Sequence, residues 1–135
     1  MALLLLSMLL GVFLPFASAG AHPQKRQPET AAAKKMDSRL LSAIERYREG
    51  GLTAARQDRR AALDIDDQAR ILVDIRAEVT PALVAAIEAT GATVLGQFPK
   101  YESVRARIPM AKLETVAERS EVKSIRPADR AINSR

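Results

Sequence analysis

The side chains available for chemistry in this sequence are few in kind. The 135 residues contain no cysteine and a single histidine, His22. Absence of cysteine removes disulfides, thiolate metal sites and cysteine nucleophiles together. A Ser-His-Asp site needs a histidine held by a fold, and His22 stands near the front of the chain, so a hydrolytic triad is excluded. Carboxylates cluster once, at Asp64, Asp66 and Asp67, in a polar stretch that reads as a solvated loop. The six glycines are isolated or paired, so no glycine-rich phosphate loop exists. Arginine is what remains in quantity. The formal net charge is +5, but the excess is spread along the chain without a basic block, which speaks against a nucleic-acid footprint.

The elements that must position these arginines follow from hydrophobic periodicity. Residues 2–14, ALLLLSMLLGVFL, are uncharged and too short to span a bilayer comfortably, which takes roughly 20 residues. They suit the apolar region of a secretory signal, with Ala17-Ser18-Ala19 as a cleavage site before Gly20. Residues 1–19 are therefore expected to direct export to a secreted or periplasmic location, and to be the only part that meets a membrane. Residues 20–36, with two prolines and scattered charge, read as a linker. A helix is expected over 37–51, capped by Asp37 or Ser38, with Leu40, Leu41, Ile44 and Tyr47 on one side and Gly50-Gly51 as its stop. Residues 52–68 read mainly as a connector.

From Ala69 the pattern sharpens. Ile71, Val73, Ile75 and Ala77 alternate with Leu72, Asp74 and Arg76, the period of a half-buried strand. Thr80-Pro81 opens a helix that buries Leu83, Val84 and Ile87 and ends at Gly91. Thr93–Phe98 forms a second strand, Ser103–Ile108 a third with Val104, Ala106 and Ile108 inward, and Val122–Arg126 a fourth. A helix over Met110–Arg119 buries Met110, Leu113, Val116 and Ala117. The order β-α-β-β-α-β over 69–127 predicts an α+β, ferredoxin-like sandwich with an extra N-terminal helix, both crossover helices on one sheet face.

The other sheet face then carries the chemistry. Alternation assigns it Leu72, Asp74 and Arg76 from the first strand and Ser103, Arg105 and Arg107 from the third. An RNA-binding domain of this topology stacks bases on aromatic residues at these positions, and none is aromatic. A metal chaperone of this topology needs paired cysteines in the first turn, which reads Ala77-Glu78-Val79-Thr80-Pro81. No cofactor or metal is expected.

From Met36 onward the chain, KMDSRLLSAIERYREGG followed by ILVDIRAEVTPALVAAIEATGATVLGQFPKYESVRARIPMAKLETVAERSEVKSIRPADRAI, resembles the prodomain-like amino-terminal region of exported bacterial subtilisin-like serine protease precursors. VDIRAEVTP, GATVLGQFP, VRARIP and VKSIRPADRA carry the resemblance, over about residues 35–132. The protease domain that follows such regions is missing from these 135 residues. The resemblance implies a non-catalytic module that assists folding of, and inhibits, a subtilisin-like protease domain in cis or in trans. It implies docking through the open face, by Leu72, Arg105 and Arg107, with Glu102 at the hairpin edge capping partner helix ends. It also implies that the tail, 128–135, enters the substrate cleft as an added strand, with Ile132 and Arg135 filling pockets. A small ligand- or protein-binding sensor domain of the same topology is the alternative.

Overall fold

The computed structural model describes residues 29–57 and 62–129. The expected signal segment and His22, the short 58–61 stretch, and Ile132 and Arg135 lie outside the described residues.

Four strands form one antiparallel sheet in the order β2-β3-β1-β4, with β1 Arg70–Ala77, β2 Thr93–Phe98, β3 Ser103–Pro109 and β4 Val122–Pro127. Helix α3, Pro81–Ala89, connects β1 to β2. The Thr80 hydroxyl accepts from the Leu83 N–H at 3.1 Å, Pro81 supplies a preset φ at the first turn, and Gly91 closes the helix at φ +86°. The second crossover is shorter than expected. A 3-10 turn, Met110–Lys112, leads into α4, Leu113–Ala117, so the helical run ends two residues before Arg119. Both crossovers pack on one side, giving the ferredoxin-like layout.

Period two in β1 and β3 decides which face is covered. Ile71, Val73, Ile75, Val104, Ala106 and Ile108 are fully buried beneath Leu83, Ile87, Leu113 and Val116. This is the expected core, and the register Ile71↔Ile108, Val73↔Ala106, Ile75↔Val104 places it across the two central strands.

On the amino-terminal side the expected linker and connector are both corrected. The linker does not run to residue 36. Thr30 caps a single helical turn, α1 Ala31–Lys34, and Ala32 and Met36 are buried in the core. Met36 forms a parallel bridge to Ile125, with the Asp37 N–H donating to the Ile125 carbonyl at 3.0 Å and the Ile125 N–H to the Lys35 carbonyl at 2.8 Å. Lys35-Met36-Asp37 thus covers the outer edge of β4, satisfying backbone groups that would otherwise face solvent.

Gly50-Gly51 do end the first helical limb, as expected. Gly50 lies at φ −141° and Gly51 at φ +69°, ψ −160°, and helix α2, Ser38–Arg56, is two limbs joined across that kink, the second reaching Arg56 inside the stretch read as a connector. Its first limb buries Leu40, Ala43 and Ile44, and the limb beyond the bend buries Ala55. A methyl at Gly50 would approach the Ala54 Cβ to 2.7 Å, and Gly51 holds a backbone conformation that side chains disfavour, so both glycines serve the bend.

The connector, finally, is a built turn. Ile65 bridges Ile71, the Leu72 N–H donates to the Asp64 carbonyl, and Ala69 takes a left-handed conformation at φ +57°. Asp66 ties this turn: its carboxylate accepts from the N–H groups of Gln68 and Arg70 and from the Arg70 guanidinium.

Candidate functional site

The sheet face turned away from the helices is a charged surface built from β1, β3 and the ends of β2 and β4. Strand alternation puts Arg70, Leu72, Asp74 and Arg76 on it from β1, and Ser103, Arg105 and Arg107 from β3. From β4, Arg126 stands opposite Asp74 and Ser124 opposite Arg76.

Its arginines are arranged in pairs with aspartates. Arg105 grips Asp74 in a two-pronged contact, Nε to Oδ1 at 2.7 Å and a terminal nitrogen to Oδ2 at 2.8 Å. The hydrogen bonds that Arg105 donates to Asp74, and the charge of Asp74, raise the pKa of Arg105 further against the opposing effect of burial, and Asp129 adds to the raise. Arg107 also grips a carboxylate with two prongs, its two terminal nitrogens donating to the Asp64 oxygens at 3.2 and 3.1 Å. Arg70 holds Asp66 at 2.8 Å and reaches the Thr93 hydroxyl. Burial pushes the Asp66 carboxyl up, but the hydrogen bonds from Arg70 and Gln68 outweigh it and hold the group below its ordinary range. Asp64 and Asp66 are therefore not solvated loop residues, the expectation for that cluster; their side chains are about one-fifth exposed, at 20% and 23%. Asp67 alone points outward, 96% exposed and touched by Arg56.

Two arginines of this face stand outside the pairing. Neither Arg76 nor Arg126 hydrogen-bonds a carboxylate among the described residues. They border a shallow depression of about 240 Å³, completed by Asp74, Tyr101, Ser103 and Ser124.

Of the residues expected to contact a partner, Leu72, Arg105 and Arg107 share this face. Leu72 is half-buried between Asp64 and Arg107, and its carbonyl accepts the N–H of Ala128 at 3.1 Å. Ala128 is buried, so the packed part of the chain extends one residue beyond Pro127. Glu102 sits apart, at the hairpin tip, in a left-handed conformation at φ +49°. Lys123 Nζ lies 2.9 Å from both its oxygens, and that hydrogen bond and charge, with the field of Arg76, hold its carboxyl below the ordinary range.

Aromatic side chains reach the face from β2, whose residues the sequence assigns to neither side. A bulge between Val94 and Gly96 adds Leu95 to β2 and inverts the residues that follow, so Phe98 lies opposite Ser103 on the open side. Its ring covers Gly96, where a methyl would meet it at 2.8 Å. Leu95, Phe98 and Tyr101 are 54%, 46% and 70% exposed and rim the surface near the hairpin. The only sequence signal for this was Gly96 inside a strand, a residue that often marks a bulge.

Among the described residues, no three His, Cys, Asp or Glu side chains converge as a metal site, and no helix is long and apolar enough to cross a membrane. Oriented arginine forks and exposed rings are groups suited to recognition of another surface. No protein-family model, curated protein or solved structure matches the chain.

Proposed function

We propose that the chain is an exported, non-catalytic module that docks on a subtilisin-like serine protease domain, assists its folding and inhibits it. The observation that carries this reading is the sheet face left uncovered by helices, with Ala128 tied to Leu72 of β1. A face with apolar Leu72, fixed guanidinium forks and exposed rings is equipped to bury area against a partner, and its charges set orientation and encounter rate. From Ala128 the tail is anchored by its N–H to β1, which fixes where the following residues start. In this reading Ile132-Asn133-Ser134-Arg135 lies in the substrate cleft as an added strand. Ile132 fills the apolar pocket four positions before the cut, and Arg135 the primary pocket of an enzyme that accepts a basic side chain. Glu102 would leave Lys123 to cap a partner helix.

Titration of the chain from Gly20 onward against a panel of subtilisin-like proteases tests the proposal. Inhibition is expected for an enzyme accepting arginine in its primary pocket, and removal of Ile132–Arg135 should abolish cleft blockade while circular dichroism stays unchanged. Equal inhibition by the shortened chain overturns the tail mechanism. Failure of both chains to bind any such enzyme makes the small sensor domain the better reading.

A further inference from the structure

Arg76 and Arg126 differ from the other arginines of the open face in one respect: among the described residues neither is paired with a carboxylate. Asp74, Asp37 and Glu102 near them are each held by another cation, while Asp129 shares a second depression with Arg126 but does not line this one. Asp74 faces Arg126 across the strand pair, yet both its oxygens are occupied by Arg105. Asp37 feels the charge of Arg126 but hydrogen-bonds Arg39. Glu102 feels Arg76 but is bound through both oxygens to Lys123. Both guanidinium groups border the same depression, whose lining holds Asp74 as its one carboxylate, so that lining carries surplus positive charge. Arg76 stands in register between Ser103 on β3 and Ser124 on β4, so hydroxyl donors flank it on both sides, and Tyr101 adds a wall that is 70% exposed.

We infer that this depression is a socket for a single carboxylate presented by a docked protein, an Asp or Glu side chain flanked by apolar neighbours. Planar guanidinium groups match the two oxygens of a carboxylate, and the serine hydroxyls supply further donors. A singly charged group fits better than a phosphate, because Asp74 borders the same space and would oppose a second negative charge. The rings of Tyr101 and Phe98 would meet apolar groups beside the acid. The inference deepens the docking reading and rests on it only for the identity of the partner.

Nuclear magnetic resonance titration of the full chain tests it without any protease. The probes are an acetylated, amidated peptide Phe-Glu-Leu, its Phe-Gln-Leu counterpart, and inorganic phosphate. The glutamate peptide should give saturable shifts at the amides of Arg76, Ser103, Ser124 and Arg126, and the glutamine peptide should not. Arg76→Gln with Arg126→Gln should weaken the effect about tenfold or more, as two charge-assisted contacts are lost. Lys34→Gln with Lys35→Gln should leave it intact. Shifts centred on Lys34, Lys35 and Arg39, or no saturable shift, overturn the socket. Stronger saturation by phosphate at the same amides overturns the choice of carboxylate. A chain that takes up the glutamate peptide but binds no subtilisin-like enzyme keeps the socket and loses the protease reading. A chain that inhibits such an enzyme yet shows no peptide shift keeps the reading and loses the socket.

Discussion

The two faces of strand β1 obey different rules although their residues alternate one by one. Ile71, Val73, Ile75 and Ala77 face the helices with no solvent exposure at all, whereas Leu72, Asp74 and Arg76 face outward among ion pairs. The inward face is held by burial, which has no directional preference and is lost in proportion to the apolar volume removed. The outward face is held by oriented charge, which costs little to lose where water can replace it. Stability and recognition are thus carried by neighbouring residues of the same strands, and substitutions a single position apart should separate them.

The largest expected effect lies inward. Ile75→Ala should lower stability by about 2–5 kcal/mol, read from urea unfolding, because the cavity it opens is enclosed by β1, β3, β4 and the helices. A loss under 1 kcal/mol would mean the two faces do not differ as described. Gly51→Ala comes next. It forces a side chain into the φ +69°, ψ −160° conformation of the α2 bend and should cost about 1–3 kcal/mol in thermal unfolding, although a methyl there meets nothing within 4 Å.

A moderate effect should appear on acidification. Burial raises the carboxyls of Asp37 and Asp66, but hydrogen bonds from Arg39 and from Arg70 prevail and leave both below their ordinary values. A carboxyl depressed in the folded state contributes stability that is fully present above its unfolded pKa, ~3.9. That contribution drains as pH falls through the lower folded value. Unfolding midpoints between pH 6 and pH 2 should therefore decline more gently in Asp66→Asn than in the parent chain. Parallel curves would remove Asp66 as a source of the acid sensitivity.

The smallest stability effect is expected outward. Breaking the Arg105–Asp74 fork with Arg105→Gln should cost about 0–1 kcal/mol, since both partners are more than a third exposed or close to it, at 43% and 35%. The same substitution combined with Arg107→Gln should weaken docking to a matched protease, with an effect that shrinks as salt rises, because exposed charges are screened beyond ~8 Å at physiological ionic strength. A salt-independent loss would point to packing rather than charge.

How far the sequence could be read depended on whether a feature was local. The core was legible because period two in Ile71–Ala77 and Val104–Ile108 leaves one assignment of faces, and Thr80-Pro81 marks a helix start by chemistry contained in four residues. The pairing of Met36 with Ile125 was not legible, because neither residue's neighbours encode the other's position. Alternation placed Arg105 and Arg107 correctly but could not supply Asp64, which arrives from a turn that looked like solvated chain. The side on which Phe98 lies was not legible, because the bulge at Leu95 shifts the register in mid-strand and breaks period two there. The double glycine of α2 was legible as the end of its first limb, because glycine commonly terminates helices, whereas the second limb was not legible, since the burial of Ala55 is a tertiary contact.

The bridge between Met36 and Ile125 also has a consequence for the order of events during synthesis. Chains emerge amino end first, so Lys35-Met36-Asp37 is made well before the strand whose edge it covers. Until β4 has emerged, the segment has no β4 edge to cover and α2 lacks part of the surface that receives Leu40 and Ile44. Closing so long a loop sets a slow, entropically opposed step at the end of assembly rather than at its start. A ribosome-stalled chain ending before Val122 should therefore remain open to proteases from Ala32 to Ile44.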